Sequence, residues 1–386
     1  MIARRPTLLS LRRRASSVLA IGAALAVVCA SPSRARADGA LTIEVGGGES
    51  KPTPTIQPSA FEYQRVSGRI APVRAFTLGA GLRLQHDFMA APTPGTKLRS
   101  SSDWVWLGAI DGTLELSDHA SLTLSILASP SATRTIASSF VYPRGASDAV
   151  GYARTRASSS SLGAGLTFTY DTFDDDAPER ALDGSFDLSA AYTTYATDQA
   201  MVEIDGPNGA TSVDAFMQNE CAAATTRTAL CDVVARAARA ATSRLGQARL
   251  GAAATATLFE RTDVTLDGAY YVYDQGDPDS VGFFQDSITS GGRQATASYG
   301  VGLPLLPPRW SLRGDVSHKW STFLARGFYQ FTDYTLAGYV GHSLGGKAQL
   351  YFGKWRAHAT GSYRWDVSTA DTAKSWILGL GLTRTF

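Results

Sequence analysis

Apolar and polar residues alternate along most of the chain, and that period of two limits the fold more than any other feature. Phe76, Leu78, Ala80, Leu82 and Leu84 alternate with Thr77, Gly79, Gly81, Arg83 and Gln85. The same pattern runs through 122–126, 162–170, 186–192, 264–272, 295–303 and 376–382. Successive side chains of a strand point to opposite faces, so each segment reads as a strand with one apolar face. Short connections are expected at 71–74, 117–120, 171–184, 260–263, 306–309 and 353–355. Long ones are expected near 49–60, 89–101, 130–157, 197–245, 274–292, 323–334 and 367–373. Together they predict an all-β, up-and-down antiparallel barrel of about 14 strands (range about 12–16), with both termini on the short-turn side.

The aromatic residues decide between a soluble sandwich and a membrane barrel. Trp310 and Trp320, Trp355 and Trp365, and Trp376 and Phe386 are each ten residues apart on the apolar parity, which Trp104 shares. Ten residues at ~3.3 Å cover ~33 Å, and a tilt of about 40° projects that to ~25 Å. This is the height of an outer-membrane apolar band, whose edges favour amphipathic rings. A sandwich would bury its tryptophans centrally. The membrane reading fits the composition: only 18% of residues are charged, yet no run of 18 apolar residues provides a helical span.

The last strand, Leu380-Gly381-Leu382-Thr383-Arg384-Thr385-Phe386, resembles the closing strand of Gram-negative outer-membrane β-barrel proteins. Phe386, Leu382 and Leu380 match its terminal aromatic and alternate apolar positions, while Arg384 stands where a Tyr or apolar residue is usual. The resemblance implies a chain inserted by the barrel-assembly machinery and surrounded by outer-membrane lipids.

Residues 1–37 read as a cleaved signal peptide. Arg4, Arg5 and Arg12–Arg14 precede the uncharged run 18–30, and Ala35-Arg36-Ala37 offers a cleavage site before Asp38. The segment holds seven arginines and no acid, so removing it turns the overall +2 into −5. No basic surface for nucleic acid remains. Export leaves Cys221 and Cys231 in an oxidising compartment, where a disulfide is favoured over metal binding. Ten residues of continuous helix span about 15 Å, so a bridge requires a bend, with Thr225–Thr228 the obvious place. The surrounding extracellular loop, 197–245, changes to a helical period: Leu230, Val234, Ala237 or Ala238, Ala241 and Leu245 share a face. Thr211-x-x-Asp214 offers a capping box. The barrel mouth is the surface expected under this stripe, with Arg236, Arg239 and Arg244 meeting acids such as Asp103.

The other parity faces the lumen. It carries Arg65, Arg69, Arg83, Arg249, Arg313, Lys319, Lys347, Arg356 and Arg364 against Glu44, Asp103, Asp111, Glu115, Asp187, Asp263, Asp267, Asp315 and Asp366. The signs balance. A wet pore with mixed walls, passive or gated and passing small polar solutes, is the favoured function. A closed barrel whose extracellular loops bind a ligand or surface partner is the alternative. Enzyme motifs fail on context. Gly341-His342-Ser343-Leu344-Gly345 spells a nucleophile elbow, but strand alternation continues after it where a helix is needed, and His358 precedes Asp366 and Asp371. Asp174–Asp176 lacks the Gly and closing Glu of a calcium loop. No cofactor, catalytic residue or metal site is expected.

Overall fold

The computed structural model describes residues 38–51, 59–89, 101–144, 147–172, 182–206, 209–222, 229–238, 241–259, 261–274, 308–334, 338–369 and 372–386. The expected leader, 1–37, lies outside them. The strands are β1 (Asp38–Lys51), β2 (Ser59–Val73), β3 (Phe76–Met89), β4 (Ser101–Ser117), β5 (Ala120–Arg144), β6 (Ser147–Asp171), β7 (Leu182–Gly206), β8 (Gly209–Ser212) and β9 (Ala241–Leu258). They continue with β10 (Thr262–Tyr273), β11 (Trp310–Lys319), β12 (Phe323–Tyr334), β13 (Tyr339–Phe352), β14 (Trp355–Val367) and β15 (Thr372–Thr385). All but the short β8 join one closed antiparallel barrel of 14 strands, sealed between β1 and β15. Phe386 completes the seam by exchanging backbone hydrogen bonds with Gly39 at 3.1 and 3.2 Å.

The register sets the shape. Following paired residues round the ring from Gly39, through Leu124 on β5 and Tyr270 on β10 to Thr372 on β15, returns to the line of β1 about 14 residues further along. A shear equal to the strand number tilts strands by about 36°. With strands ~4.8 Å apart, the backbone ring then has a radius of about 13 Å.

Alternation sorts the side chains as expected. Leu378, Leu380 and Leu382 stand exposed on the outer face, whereas Gly379 between them is buried. Exposed Leu82, Ile110, Leu124, Leu166, Leu188, Leu266 and Leu344 continue the apolar belt round the barrel. The short turns gather at one end, including Arg74-Ala75, Asp118-His119 and Gly353-Lys354. Gly353 takes φ +60°, as a two-residue hairpin with Gly at its first central position requires.

Three expectations are corrected. Segment 323–334 is β12 and not a long loop. Phe328 faces inward beside outward Tyr329, and this aromatic on the inner parity hides the alternation. The strand expected at 295–303 lies outside the described residues, but β10 and β11 pair directly, so no strand stands between them. The barrel still has 14 strands, because β12 adds one and none stands between β10 and β11. Finally, 130–157 is no loop, since β5 and β6 pair from Ala120–Tyr170 to Arg144–Ser147. Strands that rise beyond the lipid need no apolar outer face, so Ser131-Ala132-Thr133-Arg134-Thr135 shows no membrane pattern.

Candidate functional site

The inner wall is built from rings laid flat on glycines. From β12 through β15 to β2, rings on β12, β14 and β2 lie over inward glycines on the neighbouring β13, β15 and β1. A Cβ at Gly46 would meet the Tyr63 ring at 2.6 Å, and one at Gly345 would meet the Phe328 ring at 2.6 Å. Phe61 lies over Gly48, Tyr334 over Gly341, and His358 over Gly381 in the same way. A ring lying along the wall fills the space above a glycine instead of projecting straight inward.

Cations stack on these rings. The Arg83 guanidinium lies 4.2 Å from the Tyr63 centroid, Arg313 3.9 Å from Phe328, and Arg364 5.3 Å from Tyr334. Arg83, 2% exposed, also donates to Gln85 Oε1 at 2.6 Å. Arg313 binds Asp315 with two nitrogens, at 2.6 and 2.8 Å, and Arg326 Nε reaches the same carboxylate at 2.8 Å. Arg364 pairs with Asp366 and donates to the Tyr334 hydroxyl at 3.0 Å. Glu44 accepts from the Tyr63 hydroxyl at 2.6 Å and lies 3.0 Å from His358 Nε2. On the facing sector Arg249 donates to Ser189 at 3.0 Å and lies 4.0 Å from Asp267.

The expected lumen residues thus fall into groups. Arg313 joins Asp315, Arg249 joins Asp267, and Lys319 and Arg356 share the Tyr351 ring at 6.0 and 5.4 Å. Asp111 and Glu115 lie on β4, Glu115 exposed toward the short-turn end. The Asp103 side chain lies outside what is described. Sequence reading found balanced signs but missed their separation. β12 to β15 and β1 to β3 carry Arg326, Lys347, Arg356, Arg364, Arg65, Arg69 and Arg83 against Glu44 and Asp366. β4 to β11 carry Asp111, Glu115, Asp187, Asp263, Asp267 and Asp315 against Arg249, Arg313 and Lys319. Arg326, Phe328 and Tyr334 were missed with β12. The inner rings Phe61 and Tyr63 went unread, although glycines at alternate inward positions (46 and 48, 341 and 345, 379 and 381) were a usable signal.

The girdle residues take two levels. Trp104, Trp310, Trp365 and Trp376 lie toward the loop end, and Trp320, Trp355 and Phe386 toward the short turns. His342 joins the outer girdle: it stacks on Trp365, centroids 5.3 Å apart, and bonds the Tyr329 hydroxyl at 2.7 Å. Ser343 sits mid-strand between Gln330 and Arg364, not on a strand-to-helix turn. Asp174–Asp176 lies outside the described residues.

At the loop end the long connection folds into a cap of α1 (Val213–Phe216), a π-helical turn (Met217–Cys221) and α2 (Ala229–Ala237). Ser212, not Thr211, caps α1, accepting from Ala215 N at 3.2 Å. Cys221 and Cys231 form the disulfide, Cα atoms 5.6 Å apart. The bend expected at 225–228 and the Arg236 and Arg239 side chains lie outside what is described, and Arg244 is exposed on β9. The helical stripe is shorter than expected, because Ala241 and Leu245 belong to β9. Its seat is also different. Leu230, Cys231 and Val234 pack with Phe216 and Val213 on Ala153, Met201 and Ile204 of β6 and β7, not on the rim of the mouth. Ala153 shares its face of β6 with Ser159, Ser161 and Gly163, the face that lines the lumen below. The cap therefore rests on the inward side of a wall that continues above the membrane.

The chain matches no family model, and no curated protein is recognisably similar in sequence. Its fold is shared with solved structures. The CymD monoaromatic hydrocarbon channel superposes with TM-score 0.52 at 11% identity, over 90% of this chain and 88% of that one. A Pseudomonas aeruginosa FadL homologue gives TM-score 0.52 at 10% identity over 90% of each chain. The Ralstonia pickettii toluene transporter TbuX gives TM-score 0.50 at 11% identity, over 91% and 89%. The chain is an outer-membrane-type β-barrel with the architecture of these transport proteins.

Proposed function

We propose that the protein is a channel through which small organic solutes, polar ones included, diffuse across the outer membrane. The observation that carries this is the wall itself. Rings pressed onto glycines keep the lining of β12 to β2 thin, a ring with a guanidinium group over it at three places, and the backbone radius of about 13 Å leaves room for an aqueous path. The related folds supply a prior for transport, and their names specify hydrocarbons for those proteins. Here the described inner face is rich in Arg, Lys, Asp and Glu, which favours solutes with a polar group. The leader expected at 1–37 would deliver the chain to the assembly machinery. Conductance in planar bilayers tests the reading: discrete open-channel steps support it, and a correctly inserted barrel without them overturns it.

The cap favours a second reading, a closed barrel that presents a surface element. A disulfide and a small apolar core order this segment independently of any pore. Deleting 209–240 separates the two: surface interactions vanish under this reading, and permeability changes under the first.

A further inference from the structure

We infer that the lumen wall around Lys347 is a binding site for small organic carboxylates and makes the channel prefer anionic solutes; this rests on the channel reading. β12 and β13 set Arg326 directly opposite Lys347 on the inner face. Like charges at directly opposed positions repel. Arg326 reaches Asp315, but that single carboxylate already holds Arg313 through two bonds. Lys347 has no carboxylate at ion-pair distance among the described residues. The charges that act on it are Glu44 and three guanidinium groups, Arg326, Arg65 and Arg356. Glu44 is engaged by Tyr63 and His358.

A half-buried ammonium among guanidinium groups lacks its counter-ion, and a carboxylate from solution supplies it through charge-assisted bonds. The rings nearby define the rest of the ligand. Phe328 lies flat on Gly345, two residues from Lys347, with the Arg313 guanidinium 3.9 Å over its ring, and Tyr351 lies four residues beyond Lys347 under Arg356. A small apolar group bearing one carboxylate, such as benzoate, matches this mixture of cations and ring carbon. The acidic sector from β4 to β11 repels the same anion, so it is held to one side of the lumen.

The test uses the full-length barrel, with folding checked by heat-modifiable migration. In bilayers under a potassium chloride gradient, the wild type should pass chloride in preference to potassium. Lys347→Glu should lower the chloride-to-potassium permeability ratio by about twofold or more. Benzoate titrated into the detergent-solubilised barrel should bind saturably, about tenfold more weakly to Lys347→Gln, while benzyl alcohol should not compete. Chloride preference that is absent, or unchanged by Lys347→Glu, overturns the inference and leaves the channel standing. Equal benzoate binding by wild type and Lys347→Gln overturns it as well. Saturable, Lys347-dependent binding in a barrel that never conducts supports the site and overturns the channel.

Discussion

The two sides of the barrel solve different problems. From β12 to β2, strands of 12 to 15 residues end near the membrane edges and are filled on the inside by rings over glycines. On β5, β6 and β7, 25 residues each, the wall continues past the lipid. Without lipid to cover one face, it recruits helices to cover the other. The first side is held by register, belt and girdle. The second needs a core of its own, and Val234 and Ile204, 0% and 1% exposed, are its centre. The same pairing rules thus serve a membrane wall and a small folded outcrop, and the two should fail independently.

The largest expected effect falls on the outcrop. Phe216 is buried in the cap core, and Phe216→Ala should destabilise the cap by about 3–5 kcal/mol. Limited proteolysis should then cut within 209–240, while heat-modifiable migration of the barrel stays as in wild type. A barrel that melts with the cap would show that the two sides are one cooperative unit. Next comes the belt. Leu380, 64% exposed on β15, faces lipid, and Leu380→Arg should cost about 2–4 kcal/mol of insertion stability. Protease resistance of the cap, measured on the fraction that inserts, should not change.

Opening the disulfide is a smaller perturbation. The bridge closes a loop of ten residues, for which chain entropy gives about 2–3 kcal/mol. Cys221→Ser with Cys231→Ser should loosen the cap at 37 °C and leave the barrel melt unmoved. A rise in open-channel conductance would accompany loosening, because the cap rests on the inward side of the wall. Unchanged conductance would favour the surface-element reading.

What could be read from the sequence follows the same division. Strands in lipid advertise themselves, since Leu378, Leu380 and Leu382 must alternate with something small or polar. β12 escaped because Phe328 sits inside, a position made tenable by Gly345 on the neighbouring strand, and a single-strand pattern cannot register a partner's glycine. The upper halves of β5 to β7 escaped because water on one face imposes no alternation. For the cap, the helical period and the cysteine pair were legible. Its seat was not, because Ala153 is distant in sequence, and Met201 and Ile204, though near, lie in a segment whose pattern reads as loop. On the inner wall, charge identities were legible and their division into a basic and an acidic sector was not. That division depends on the order of strands round the ring, which only register and closure reveal.

The finest test concerns the glycine wall itself. Gly379 faces inward on β15, and a Cβ there would collide with the Tyr63 hydroxyl and come within 2.7 Å of Thr360 Oγ1. Gly327 faces outward on β12, and a Cβ there would meet nothing within 4 Å. Gly379→Ala must therefore displace Tyr63, break its 2.6 Å bond to Glu44 and turn the ring toward the lumen. Loss of that bond costs about 1–2 kcal/mol, offset in part by the strand's gain from replacing glycine. Gly327→Ala removes nothing and should be neutral or slightly stabilising. The separation should be clearest in the pore: single-channel conductance should fall in Gly379→Ala and stay at the wild-type value in Gly327→Ala, with both barrels inserted normally. Equal conductance in the two variants would mean that the rings do not define the open path, and the thin-wall argument for a channel would fail with them.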